Sequence, residues 1–194
     1  MADMSSRFFP IDRFARAIPS ERLVELLWAG NTGGAATSVP FSNRMYIGHI
    51  NLAKSFNGAG EYFVKLIEAL QEIGVQQHVL VRNVELAKRL DLVENVAVGP
   101  VVRSAITASC LMPVVDIVHI HDASEGQAGL LLTLTRSIPF VLTHDDGASA
   151  NGPLAKSVYR RAAGLIYQAD TDAARHLRLY RHAINNWRTT ASLP

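Results

Sequence analysis

The chain has 194 residues, of which 48% are hydrophobic and 19% charged, enough apolar content for a buried core and too much for a disordered chain. Its 19 Lys and Arg against 17 Asp and Glu give a net charge of +2, too small an excess to point to nucleic acid. The single cysteine, Cys110, excludes an intramolecular disulfide framework and a cysteine-rich zinc module, and fits a cytoplasmic protein.

No apolar run approaches the ~20 residues that cross a bilayer. Arg7, Asp12, Arg13 and Arg16 break up the amino terminus where a secretory signal needs an apolar stretch, and its four acidic residues argue against an organelle transit peptide. Residues 1–44 read as an appended, partly irregular extension. Pro10, Pro19 and Pro40 punctuate it, Asn31-Thr32-Gly33-Gly34 breaks it, and Ser20 opens one short helix through Trp28.

From Met45 an alternation sets in. Tyr46–Leu52 is an apolar strand and Ser55–Gly60 a glycine-bearing loop. Glu61–Ile73 carries Phe63, Leu66, Ile67, Leu70 and Ile73 on one helical stripe, and Gly74 ends it as the residue after the cap. Strand His78–Arg82, helix Val84–Leu90, strand Asn95–Val98 and helix Val102–Leu111 follow, the last stopped by Pro113. Then come strand Asp116–His121, helix Glu125–Thr135, strand Pro139–Thr143, helix Leu154–Ala162, strand Gly164–Tyr167 and helix Thr171–Ile184. Residues 185–194 read as an aperiodic tail. Six strands alternating with helices predict an α/β fold: a single Rossmann-like, doubly wound domain over 45–184 with a mainly parallel sheet.

Ligands of such a sheet sit beyond the carboxyl ends of the strands, near the reversal of strand order. Three strand-end segments therefore matter: Asn57-Gly58-Ala59-Gly60-Glu61, His121-Asp122 and His144-Asp145-Asp146-Gly147. The first places backbone N–H groups at a helix start, where an anion is favoured, although a plain tight turn has the same composition. A dinucleotide site needs a third glycine where Phe63 stands and an acid where Arg82-Asn83 end the second strand, so only a 2′-phosphorylated cofactor remains compatible. His119 and His121, two apart on a strand, share one sheet face. His119 reads as a hydrogen-bonded core residue and His121 as functional. Together with His144 they also suggest a divalent-metal hydrolase, but no further histidine in the sequence pattern completes a ligand set.

The order INLAKSFNGAGEYFVKLIEALQEIGVQQHVLVR, DIVHIHD, IPFVLTHDDG resembles the amino-terminal domain of family-4 retaining glycosyltransferases of the GT-B fold, from about Met45 to Ile184. Gly58-Ala59-Gly60-Glu61 is a permuted form of the family's Gly-Gly-x-Glu. The resemblance implies a nucleotide-sugar donor, a glycan or lipid-linked acceptor, retention at the anomeric carbon, and no metal or other cofactor. It implies that Gly58, Ala59, Gly60 and Glu61 lie near the donor phosphates and that His121 faces the reacting sugar. Asp122, Gln127, His144 and Asp145 would line the acceptor cleft. Such enzymes carry a second, donor-binding domain, which residues 185–194 do not supply. The expectation is an acceptor-side half, inactive alone, that is completed by a separate chain, survives as a relic, or serves as a non-catalytic sugar- or partner-binding module. Between Lys156 and Arg188 seven Lys and Arg oppose Asp170 and Asp172, which reads as a solvated basic face or as a peripheral contact with the inner face of an anionic membrane.

Overall fold

The computed structural model describes residues 45–56, 58–144, 153–167 and 171–191. The extension at 1–44, Asn57, the Asp145–Gly147 segment and residues 192–194 lie outside them. The elements are β1 (Tyr46–Asn51), α1 (Gly58–Glu72), β2 (Gln76–Val81), α2 (Val84–Leu90), β3 (Val96–Val98), α3 (Ala105–Leu111), β4 (Ile117–Ile120), a 3-10 turn (Ala123–Glu125), α4 (Gly126–Arg136), β5 (Phe140–His144), α5 (Pro153–Arg161), β6 (Gly164–Tyr167) and α6 (Ala173–Ala191).

All six strands are parallel, in the order β3-β2-β1-β4-β5-β6. The fold is thus the expected α/β Rossmann-like, doubly wound domain, with the order reversing between β1 and β4. Alternation along the strands divides the core in two. Ile50, Leu80, Val118, Ile120, Phe140 and Leu142 pack with α3, α4 and α5. Ile47, Val79, Val81, Ile117 and Val141 point the other way, against α1, α2 and α6. On α1 the stripe Phe63, Leu66, Ile67 and Leu70 is fully buried, each side chain stabilising the fold by about 1.5–3 kcal/mol.

Gly74 ends α1 as expected. Its φ of 78° lets its N–H reach Gln71 O at 2.8 Å while Val75 N–H reaches Leu70 O at 3.1 Å, and Val75 and Leu70 meet in the core.

Most boundaries differ from the sequence reading by at most two residues, and three differ by more. The glycine segment is not a loop: α1 begins at Gly58, so Gly58, Ala59 and Gly60 form its first turn. The helix predicted from Val102 begins at Ala105, because Val102 N–H donates to Val81 O at 2.9 Å and Ser104 caps the helix by accepting from Thr107 N–H at 3.1 Å. The predicted tail is helical as far as Ala191.

The basic region does not lie on one helix face. Lys156, Arg160 and Arg161 are exposed on α5, and Arg175, Arg178, Arg181 and Arg188 on α6. The two helices cover opposite faces of the sheet. Among the described residues no helix is long and apolar enough to cross a membrane.

Candidate functional site

The carboxyl ends of β1 and β4 present different chemistry on the two sides of the sheet. On the α1/α6 side lies a row of histidines. His49 of β1 is the register partner of His119 of β4, so both point to the same face, and His121 follows two residues after His119. His119 is fully buried between two hydroxyls: its Nδ1 lies 2.8 Å from Tyr180 Oη and its Nε2 2.8 Å from Thr143 Oγ1. This is the core role the sequence suggested for it. The partly exposed His121 ring stacks on His119 with centroids 3.8 Å apart and meets Phe63 of α1 edge-on at 4.3 Å. Its Nε2 lies 3.1 Å from His49 Nδ1.

Burial keeps this row neutral. It is the main cause that pushes His49 down to about 3, with His176 adding to the shift and the Gln77 side chain opposing it. His119 and His121 are lowered well below the ordinary histidine range, first by burial and then by neighbouring imidazoles. Neutral rings must then divide donor and acceptor roles. The Gln77 amide nitrogen donates to Ile67 O at 2.9 Å, which leaves its Oε1, an acceptor, and His49 Nε2 buried without a close partner. Of the His49 Nδ1–His121 Nε2 pair, one nitrogen carries the proton and donates to the other.

His49, His119 and His121 each bring a ring nitrogen within 4.8 Å of the other two, the one such group among the described residues. The sequence expectation that no further histidine completes a cluster is therefore corrected: His49 does, from a strand 70 residues away. The group is nevertheless poorly arranged for a metal. Zinc holds imidazole nitrogens at about 2.0–2.1 Å with their lone pairs converging. Here the His119 and His121 rings lie against each other, tilted by 34°, and four of the six nitrogens already make hydrogen bonds. His144, expected in that set, ends β5.

On the α3/α4 side a cleft of about 380 Å³ opens over the same strand ends. Lys54 follows β1, Arg82 follows β2, Arg103 precedes α3, Asp122 and Glu125 come from the β4–α4 connection, and Gln127 lies in the first turn of α4. Asn83 ties the rim together: its amide donates to Lys54 O at 3.1 Å and its Oδ1 accepts from Leu86 N–H at 3.0 Å, capping α2. Asp122 Oδ1 accepts from Ser124 N–H at 2.7 Å, which turns the chain into the 3-10 segment. Glu125 is 6% exposed, and its Oε2 has no hydrogen-bond partner. Burial pushes its carboxyl up to about 8; Asp122 adds to the rise, while the Leu52 N–H and Arg82 oppose it. Glu125 is thus a buried carboxylic acid at neutral pH. A larger cavity of about 500 Å³, by Gln71, Gly74 and Asn95, lies at the amino ends of the strands, away from the reversal.

The expected site residues therefore divide. Asp122 and Gln127 border the cleft. Gly58, Ala59 and Glu61 are exposed on the first turn of α1, and Gly60 is buried against Phe56. His121 lies on the opposite side of the sheet from the cleft, and Asp145 lies outside the described residues. Sequence reasoning missed His49, Lys54, Arg103 and Glu125, and met Arg82 only as a partner for a 2′-phosphate. Comparison of the chain with models of protein families and with characterised proteins returned no match.

Proposed function

We propose that this domain is the acceptor-side half of a retaining glycosyltransferase with two Rossmann-like domains, of the family-4 kind. It would move a sugar from a nucleotide-sugar donor to a glycan or lipid-linked acceptor. The observation that carries the reading is the position of His121 at the strand-order reversal, against Phe63 and below the first turns of α1. That arrangement offers a neutral, partly exposed imidazole beside a helix start where Gly58 leaves the backbone open to a ligand.

Glycosyl transfer breaks the bond between the anomeric carbon and the diphosphate, forms one to the acceptor oxygen on the same face, and passes the acceptor's proton to the departing phosphate. The positive end of α1 favours the charge that develops on the diphosphate. The free nitrogen of the His121 ring hydrogen-bonds a sugar hydroxyl and so fixes the sugar's position. Most of the nucleotide would be held by a second domain, in the same polypeptide or in a separate chain.

The test is an assay with labelled nucleotide sugars on the protein purified together with any chain that accompanies it. Transfer or donor hydrolysis is expected, reduced about 10²–10³-fold in His121→Ala, the usual cost of a lost transition-state hydrogen bond. Full activity in His121→Ala, or no turnover of any donor by the assembled protein, would overturn the reading.

A further inference from the structure

We infer that the cleft over the ends of β1, β2 and β4 binds a phosphomonoester of a small polyol, its phosphate held by Lys54, Arg82 and Arg103 and a hydroxyl of its carbon frame by Glu125. The cleft lies on the opposite side of the sheet from His121, so this site goes beyond the glycosyltransferase reading and requires neither donor nor second domain.

Three observations carry it. First, the three cations come from three different connections and converge on one concavity. Among the described residues none of them is held in an ion pair. A phosphomonoester carries nearly two negative charges at pH 7 and offers three acceptor oxygens, which suits several cationic donors better than a single carboxylate does.

Second, the cleft wall includes a side chain that solvent does not satisfy. Glu125 Oε2 is buried and unpartnered. Leaving such an atom unanswered is costly, and Glu125 lines the cleft, so a ligand hydroxyl that reaches its carboxyl would recover that cost. Because burial favours the protonated acid, Glu125 adds little negative charge to oppose an anion. Asp122, the other carboxylate, has one oxygen engaged by Ser124 N–H.

Third, the lining narrows the ligand. Among the described residues the lining contains no aromatic side chain on which a base would stack and few apolar ones for an acyl chain. A volume of about 380 Å³ suits a single phosphorylated monosaccharide-sized frame.

Calorimetric titration of the chain with glucose 6-phosphate, glucose and inorganic phosphate tests this. Glucose 6-phosphate is expected to bind at least tenfold more tightly than glucose. The exposed-site variants Lys54→Ala and Arg103→Ala should each weaken it tenfold or more at an unchanged melting temperature. Glu125→Gln should weaken glucose 6-phosphate while leaving inorganic phosphate unchanged. Equal affinity for glucose and glucose 6-phosphate, or binding indifferent to both cationic substitutions, would overturn the inference.

Vesicles of phosphatidylcholine with phosphatidic acid separate the two sources of the phosphate. Sedimentation lost in Arg103→Ala and resistant to glucose 6-phosphate identifies a lipid headgroup, whereas competition by glucose 6-phosphate identifies a soluble ester. Transfer to a neutral acceptor without phosphate binding would sink this inference and leave the transferase reading standing. Phosphate binding without any transfer would do the reverse.

Discussion

Lowering the pH from 6.5 to 5 protonates His49, His119 and His121 in the unfolded chain, where they titrate near 6.5, but not in the native one, where burial holds all three well below that value. The unfolded state then binds more protons, and stability falls as the pH falls. Each such site contributes about 1.4 kcal/mol per pH unit, so three contribute about 4 kcal/mol per unit. Glu125 acts in the opposite direction. With its carboxyl raised from 4.5 to about 8, the native state holds one extra proton between those values, and this stabilises the fold as the pH falls. The net loss between pH 6 and 5 is therefore about 2–3 kcal/mol, a large part of the 5–15 kcal/mol typical of a domain. His78, lowered by partial burial, adds to the loss. From pH 8 to 7 Glu125 adds about 1 kcal/mol, and the onset of histidine protonation in the unfolded chain takes back about 0.4, so stability should rise by roughly 0.5 kcal/mol. Urea unfolding followed by far-ultraviolet circular dichroism at pH 8, 7, 6 and 5 should show a maximum between 6 and 7. In Glu125→Gln the rise from pH 8 to 7 should vanish and the acid-side loss should steepen to about 4 kcal/mol per unit. A free energy that is level or rising from pH 6 to 5 would refute the neutral-row argument.

Two helical glycines should respond oppositely to alanine. At Gly129 a Cβ would come within 2.5 Å of the fully buried Phe140 ring, so Gly129→Ala should cost about 1–3 kcal/mol in urea unfolding. At Gly58 a Cβ meets nothing within 4 Å, and Gly58→Ala should stabilise the fold by about 0.5–1 kcal/mol. His119→Phe keeps the ring but strips the Tyr180 and Thr143 hydroxyls of their partner, a loss of about 1–3 kcal/mol for each hydroxyl, while Tyr180→Phe should cost less.

The fold was legible because its signals are local. Alternation of strand and helix patterns specifies a parallel sheet, and Gly74 announces the end of α1 from composition alone. The start of α1 was obscured because two glycines in three residues weaken a helix signal, although the first turn tolerates them. The last turns of α6 were obscured because Asn185, Asn186, Thr189 and Thr190 give no apolar stripe. Site chemistry was harder to read because it depends on register. Nothing in YIGHINL marks His49, whose meaning comes from standing opposite His119 across β1 and β4. Glu125 has the composition of an ordinary acidic residue at a helix start. Its burial beneath the end of β1, where Leu52 N–H meets it, is a tertiary fact. Lys54, Arg82 and Arg103 are separated by about 20–30 residues each and converge only because the strand order places β1 beside β2.

The histidine row is a poor choice if packing were its only purpose. A leucine at position 49 would fill similar space with no buried Nε2 left unpartnered, and apolar side chains at 119 and 180 would need no hydrogen-bond network. What the polar arrangement supplies is orientation. His121 stands at the margin of the core, where its ring could otherwise rotate. His49 holds its Nε2, His119 stacks beneath it and Phe63 closes its edge. Three contacts from β1, β4 and α1 thus define one ring plane. On the other side of the same strands, Ile50 and Ile120 support the floor below the cationic cleft. Strand alternation at β1 and β4 thereby joins an oriented imidazole on one face to an anion-binding cleft on the other, both at the reversal of strand order where a parallel sheet receives its ligands.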